Sequence, residues 1–370
     1  MKGFAVVSKG IEQIVADELK ELVVSKCSVS EYTVQFETKK MEDFLFLCYK
    51  SQSVDRIVYS LGEFTFKDFF PEFEKFISKL KLESWMKAKK FRMECIRYGN
   101  HTFNSADVEG KSMKLISSKF KMKFERNEFD IIFFVYVVND KCLFGIDLSG
   151  FELNKRNYKI YTHASSIRGT IGYALVRLSD FKPKDALLDA FSRDGIIPIE
   201  AGFYATGFPI NYFRKDKFAF RRLKLGIDFD KFFAKIDKKF NKKVTKIFSY
   251  DHMFKYVDFA KKNAKIAGID KQLNFSRVEV EWLDIKFTKE CVDRIVTYLP
   301  SSKSKNLDKI YKEFFYQCEF ILKKKGKLVI LARLPNLVKK YAENNKFIVC
   351  EEVSIYSGEQ KLDILILKKK

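Results

Sequence analysis

LLDAFSRDGIIPIEAG, residues 187–202, is the stretch that decides the fold. Two leucines run into Asp189, a tight turn follows, and a helix is expected over 196–205. A strand that ends on a carboxylate and turns sharply into a helix is how a doubly wound α/β domain presents its ligand crevice, at the carboxyl ends of its strands.

The pattern extends on both sides. From about residue 160 onward strand-like runs alternate with helical ones. VTKIFSYD (244–251) is followed by YVDFAKKNAKIAG (256–268), and LNFSRVEVEWLD (273–284) and DRIVTYLP (293–300) by a long helix from about 306 to 324. GKLVILARL (326–334) precedes NLVKKYAENN (336–345), and FIVCEEVSIYS (347–357) with KLDILILKK (361–369) reads as an antiparallel hairpin at the sheet edge, turning at Ser357-Gly358. This order predicts a mainly parallel sheet covered by helices.

Towards the N-terminus the rhythm differs. GFAVV (3–7), IEQIVADELKEL (11–22), EYTVQFET (31–38), MEDFLFLCYKS (41–51) and DRIVYSLGEF (55–64) follow a β-α-β-β-α-β-like order, a small ferredoxin-like unit. FFPEFEKFISKL (69–80) is an amphipathic helix, KFRMECIRYGNHTF (90–103) a strand with a polar turn, and 105–120 a helix opening on Ser105 with acids at Asp107 and Glu109. FDIIFFVYVVND (129–140) and KCLFGIDLSG (141–150) pair around Asn139-Asp140. The expected domains are 1–60, 61–155, a linker over 156–180, and 181–370.

Composition narrows the function. Net charge is +22, from 70 basic and 48 acidic side chains, and residues 161–370 carry +18 of it. So concentrated a charge favours partners that carry phosphate, against the plainer reading of a lysine-rich solvated surface. The 39 phenylalanines occur wherever a periodic apolar position does, a compositional habit. Seven cysteines stand without CxxC spacing and away from the three histidines, which argues against a zinc or iron–sulfur site and for a reducing compartment. His163 reads as packing or capping. No run is long and apolar enough to cross a membrane, and the start MKGFAVVSKG lacks a signal-peptide core, so a soluble cytoplasmic protein is expected. Metalloprotease, P-loop and nucleophile-elbow motifs are absent.

Four segments in order resemble the THUMP-domain, Rossmann-fold RNA methyltransferases of the tRNA guanine-N2 type. KGIEQIVADELKEL (9–22) is similar to the opening helix of their N-terminal domain, and FRMECIRYGNHTFNSADVEGKSMKLI (91–116) to the THUMP domain, whose strand, turn and helix touch RNA. LSGFELNKRNYKIYTHASSIRGTIGYALVRLS (148–179) is similar to the linker into the catalytic domain, and 187–202 to the loop DPxCGSGTIPIEA. The resemblance spans nearly the whole chain. It implies S-adenosylmethionine as cofactor and tRNA or another structured RNA as partner, with Asp189, Gly195, Asp251 and Glu279 as cofactor-binding residues. Asp251 would hold the ribose hydroxyls, or merely cap the next helix; Glu279 would lie near the adenine, or be a surface charge beside Glu281.

The chain departs from the family where the chemistry should be. GSGT becomes Arg193-Asp194-Gly195-Ile196, and the [ND]PP[YF] acceptor loop becomes Tyr298-Leu299-Pro300-Ser301, followed by Ser302-Lys303-Ser304-Lys305. A loop close to a cofactor needs small residues, and Arg193 is a long one. The acceptor Asn or Asp is gone, leaving Tyr298 and Pro300 as the only candidates to touch a target base; Tyr298 reads more readily as a partly buried strand-end residue. Basic features persist. Arg97, Asn100 and His101 lie on the THUMP turn, Lys111 and Lys114 on its helix, and Lys155 and Arg156 in the linker. Residues 214–246 hold 13 Lys/Arg against 4 acids; Arg214, Arg221 and Arg222 there alternate with aromatics, as nucleic-acid surfaces do, or as a solvated helical face would. The expectation is therefore a tRNA-binding member with lost or weak methyl transfer. The alternatives are an active S-adenosylmethionine-dependent tRNA guanine-N2-methyltransferase, and a non-catalytic subunit supporting a catalytic protein partner.

Overall fold

The computed structural model describes the chain except for Lys242, Val244, residues 302–306, Gly358 and Glu359. It forms two compact units. The first comprises Met1–Val7, Val15–Leu153 and Asn211–Lys238; the second comprises Ser8–Ile14, Asn154–Ile210 and Lys239–Lys370.

In the first unit β1 (Lys2–Val6), α1 (Glu12–Leu22), β2 (Lys26–Ser30), β3 (Thr33–Glu37), α2 (Met41–Lys50) and β4 (Arg56–Thr65) are followed by α3 (Phe69–Lys79) and β5 (Lys90–Tyr98). After these come α4 (Ser105–Phe120), β6 (Lys123–Phe124), β7 (Ile131–Val138) and β8 (Lys141–Asp147). The eight strands make one sheet in the order β2-β3-β1-β4-β8-β7-β5-β6. The expected boundary at residue 60 falls inside β4, which pairs with β1 at one end and β8 along its length. β7, IIFFVYVV, is buried at every position but its last, as a central strand covered on both faces must be. β2 was not expected. Its residues KCSVS are mostly exposed, so the edge strand carries no apolar alternation to read. α4 opens on Asn104, whose side chain accepts from the Asp107 amide while Asp107 accepts from the Asn104 amide, a reciprocal cap one residue before the expected Ser105.

The second unit begins with α5 (Gly169–Leu178), β9 (Leu187–Asp189) and α6 (Ile196–Thr206). The chain then contributes Asn211–Lys238, with α7 (Phe229–Asp237), to the first unit. It resumes the second with β10 (Ile247–Asp251), α8 (Phe254–Ala267), β11 (Asn274–Arg277), α9 (Leu283–Lys286), β12 (Val292–Tyr298) and α10 (Leu307–Ile321). β13 (Leu322–Ala332), α11 (Pro335–Asn344), β14 (Phe347–Ser357) and β15 (Gln360–Lys369) complete it. The sheet order is β11-β10-β9-β12-β13-β15-β14, parallel from β11 to β13 and closed by the antiparallel β14–β15 hairpin. The hairpin's expected turn at Ser357-Gly358 lies partly outside the described residues. The strand expected over 273–284 stops at Arg277 and gives way to a 3-10 turn over Val280–Trp282. α10 buries Tyr311, Phe314, Phe315, Cys318 and Ile321 against Leu328 and Ile330 of β13 and Leu365 and Leu367 of β15, the heart of this unit's core.

Candidate functional site

The order of connection in the second sheet reverses between β9 and β12, so the ends of β9, β10 and β12 flank the crevice where a doubly wound sheet binds its ligand. Asp189, Asp251 and Tyr298 close those three strands. Asp189 is buried, accepting from Thr297 Oγ1 at 2.6 Å and from the Phe191 amide at 3.2 Å. Burial pushes its carboxyl up to about 7, against the pull of those two donors and of the Arg193 charge. Asp251, also buried, accepts from the Arg193 amide at 3.0 Å and the Met253 amide at 2.9 Å. Its carboxylate thus ties the β9 turn to the start of α8. Gly195 precedes α6 at φ +80°; a Cβ there would sit 2.8 Å from the Ala260 side chain, so backbone and packing both demand glycine. Glu279 stands apart, half-buried at the head of the 280–282 turn and 3.9 Å from Arg277.

The residue that fills the crevice is Arg193. Its backbone is left-handed at φ +49°, and its guanidinium carbon lies 4.4 Å from the centre of the Tyr298 ring. Burial lowers the affinity of that guanidinium for its proton, and the negative fields of Asp189, Tyr298, Asp251 and Asp194 offset this only in part. The cavity bounded by Asp189, Arg193, Asp194, Ile196 and Tyr298 measures about 10 Å³, space for one water. A small-molecule site needs roughly 300 Å³ or more. The space between Asp189, Arg193 and Tyr298 is therefore too small for a small molecule in this conformation.

Tyr298 is 3% exposed, with Arg193 on its ring and its hydroxyl accepting from Arg333 Nε at 2.8 Å. The ring is thus enclosed by its own chain, as the strand-end reading expects. Pro300 follows with its carbonyl accepting from the Tyr311 hydroxyl at 2.9 Å. The basic run after it, residues 302–305, lies outside the described residues.

The expectation for Arg156 is corrected. Its Nε donates to Glu200 Oε1 at 2.7 Å and its Nη2 to Oε2 at 3.1 Å, and the pair is almost wholly buried, where no phosphate reaches. Tyr158 donates its hydroxyl to the same carboxylate at 2.7 Å. The linker is therefore pinned to α6 by the glutamate of IPIEA. Asn263 on α8 holds the next residues. Its Oδ1 accepts from the Tyr161 amide, and its Nδ2 donates to the Tyr161 and Asp194 carbonyls at 2.8 and 2.9 Å. His163 accepts from the Ser165 amide at Nδ1 and meets Tyr256 edge-on, a capping and packing role. Asn263, Thr297 and Arg333 escape sequence reasoning because each acts across strands or helices distant in the chain.

Of the remaining basic candidates, Lys155, Lys111, Lys114 and Arg222 are exposed, as is Asn100. Lys111 reaches Glu74 at 3.6 Å. His101 Nε2 lies 2.6 Å from the Asn139 carbonyl and so carries the proton there, leaving Nδ1 to accept from Arg97 at 3.3 Å, and its ring stacks on Phe103. In 213–226 the interleaved aromatics mostly turn inward: Phe218 and Phe220 are buried and Phe213 is 53% exposed. Arg214 covers Phe151 at 3.8 Å, Arg222 covers Phe129 at 4.2 Å, and Arg221 faces Asp230 at 3.8 Å. Among the described residues no group of three or more His, Cys, Asp or Glu is placed to hold a metal, and no helix is long and apolar enough to cross a membrane.

An α/β chain with a mainly parallel sheet reversing at β9–β12, acids closing its strands, and a separate sheet unit has the architecture of a Rossmann-type methyltransferase domain with a second sheet unit. The chain belongs to the RMKL-like methyltransferase-domain family, whose family model matches residues 156–362, and carries a THUMP domain matched over 67–147. It is 29% identical over 289 residues to the tRNA (guanine(6)-N2)-methyltransferase of Methanocaldococcus jannaschii, covering 74% of each chain. To the putative RNA methyltransferase YpsC of Bacillus subtilis it is 26% identical over 297 residues, covering 74% of this chain and 72% of the other. In fold it is similar to SMU.472, a putative methyltransferase complexed with SAH, at TM-score 0.82 and 20% identity, covering 100% and 98% of the two chains. TrmN from Thermus thermophilus gives TM-score 0.76 at 19% identity, covering 100% and 99%.

Proposed function

We propose that this protein is an RNA-binding member of the family, taking structured RNA and tRNA foremost, with little or no methyl-transfer activity. One observation carries the reading: the Arg193 guanidinium occupies the crevice at the strand ends and leaves a cavity of about 10 Å³. The THUMP domain and the net charge of +22 support the RNA partner, and the relatives named for tRNA or RNA methylation support its class. Such a protein acts where RNA is, and a cytoplasmic setting is proposed with it.

A second reading has an observation in its favour. Asp189, Gly195 and Asp251 keep the backbone and carboxylate framework of the crevice, so a rearranged Arg193 would return an active tRNA guanine-N2-methyltransferase with Glu279 beside the cofactor. Incubating the purified protein with unmodified tRNA and radiolabelled S-adenosylmethionine separates the two. Salt-sensitive tRNA binding without label transfer is the expected result; transfer at a rate typical of enzymes would overturn the proposal.

A further inference from the structure

The edge of the second sheet opposite the crevice carries charge of its own. Strands β9, β12, β13 and β15 are consecutive neighbours in the sheet. The registers Arg294 to Leu187, Val292 to Leu322 and Leu328 to Leu367 bring the starts of β9, β12 and β13 and the end of β15 to one edge. There Lys182 and Lys184 precede β9, Lys289 precedes β12, Lys324 and Lys325 open β13, and Lys368 closes on β15, all six exposed. The acids at this edge are already engaged. Asp180 pairs with Lys327, Asp185 with Arg294 at 3.4 Å, Asp293 with Lys323 at 2.7 Å and Glu319 with Lys346 at 2.6 Å. Those pairs hold the loops before β9 and β12 in place and leave the six exposed lysines without an ion-pair partner among the described residues. Lys369 lies among them, its Nζ donating to the Leu322 carbonyl. Burial lowers its ammonium from the ordinary value, Glu290 and Glu319 pull it back up, and the Lys289 charge adds repulsion. A uniformly lysine-rich surface does not account for this edge, because the opposite ends of β9 and β10 carry Asp189 and Asp251. Charge is polarised along the strands.

Four adjacent strands span about 14 Å, long enough to follow a nucleic-acid backbone over several phosphates. The aromatic residues of these segments, Phe181, Phe287 and Phe347, are all buried, so the edge offers no ring on which an unpaired base could stack. Exposed charge without rings reads backbone rather than bases. We infer that this lysine edge is a further RNA-binding surface, one that takes the phosphate backbone of a double-stranded stem without regard to sequence. The inference rests on the RNA-binding reading above and adds a surface on the side of the sheet away from the crevice. A stem can therefore be held by the second unit whether or not the crevice is open.

The test titrates the full chain with a blunt RNA duplex at several salt concentrations. In the triple variant Lys324→Gln, Lys325→Gln, Lys368→Gln the slope of log affinity against log salt is expected to fall by about 3, with affinity at low salt down about tenfold or more. A control triple, Lys261→Gln, Lys265→Gln, Lys271→Gln, removes the same charge from exposed positions on α8 and the turn after it. It is expected to change the slope by less than about 1. The edge triple made with arginine instead of glutamine keeps the charge and is expected to bind as the wild type does. Single-stranded poly(U) is expected to bind the wild type more weakly than the duplex. Equal losses in the edge and control triples, a loss in the arginine triple as large as in the glutamine one, or tighter binding of poly(U) would overturn the inference. So would an edge triple that loses binding to phosphatidylserine vesicles while keeping its hold on the duplex. A wild type that binds no RNA contradicts the proposed function, whereas RNA binding with an unchanged slope in the edge triple contradicts only the lysine edge.

Discussion

Arg156 and Glu200 form a two-point ion pair, Nε to Oε1 and Nη2 to Oε2, inside the methyltransferase unit. The side chains are 1% and 0% exposed, and Gly169 lies so close that a Cβ there would meet both. Glu200→Ala would strand a buried guanidinium and the Tyr158 hydroxyl, and is expected to destabilise the fold by about 3–5 kcal/mol. Denaturant unfolding followed by circular dichroism measures it; a loss within error would mean the pair contributes nothing.

The Asp189 carboxyl titrates at about 7 in the folded chain, above its usual range, because burial penalises its charge. The folded state therefore binds a proton that the unfolded chain releases between about pH 4 and 7. The contribution of this group is greatest at low pH and falls as pH rises through 7. Relative to Asp189→Asn, which cannot titrate, the wild type is expected to gain stability as pH is lowered from 8 to 5. Parallel melting curves for the two proteins across that window would contradict the assignment.

Gly195→Ala places a methyl group against Ala260 on a backbone at φ +80°. A loss of about 1–3 kcal/mol is expected, from strain and crowding together. Differential scanning calorimetry reads it, and the effect on tRNA affinity should be small.

Lys114 on α4 is exposed, whereas Lys119 on the same helix donates to the carbonyls of Ile77 and Ser78. Lys114→Ala is expected to weaken tRNA binding and lower the slope of log affinity against log salt by about 1. Lys119→Ala should disturb the α3–α4 packing and leave that slope intact. Binding isotherms at several salt concentrations distinguish the two, and equal slopes in wild type and Lys114→Ala would remove Lys114 from the RNA surface.

Much of the second unit was legible because its elements are long and periodic. The alternation after residue 160, the hairpin at the end and the turn at 192–195 all follow from local patterns. β2 was not legible, since an exposed edge strand with residues KCSVS has no buried face to mark it. The charge-rich motifs misled in a consistent way. Arg156 and the aromatics Phe218 and Phe220 resemble an RNA surface in one dimension, yet burial partners from elsewhere in the chain claim them. The direction in which Arg193 points had no signal at all in the sequence. It depends on Tyr298, more than a hundred residues away, and on an Arg333 bond that fixes the ring.

The segment Asn211–Lys238 interrupts the methyltransferase unit yet packs with the first one. There Tyr49 donates its hydroxyl to Asp237 at 2.6 Å and its ring meets Phe233 at 4.7 Å, while Asn211 Nδ2 donates to the Cys48 carbonyl at 2.9 Å. A deletion that discarded everything after Leu153 would strip those partners from the sheet unit as well. The two units are stitched by the path of the chain, so neither can be inherited alone. Loops at the strand ends can change without touching that path, whereas the half as a whole cannot be removed without unmaking the sheet unit.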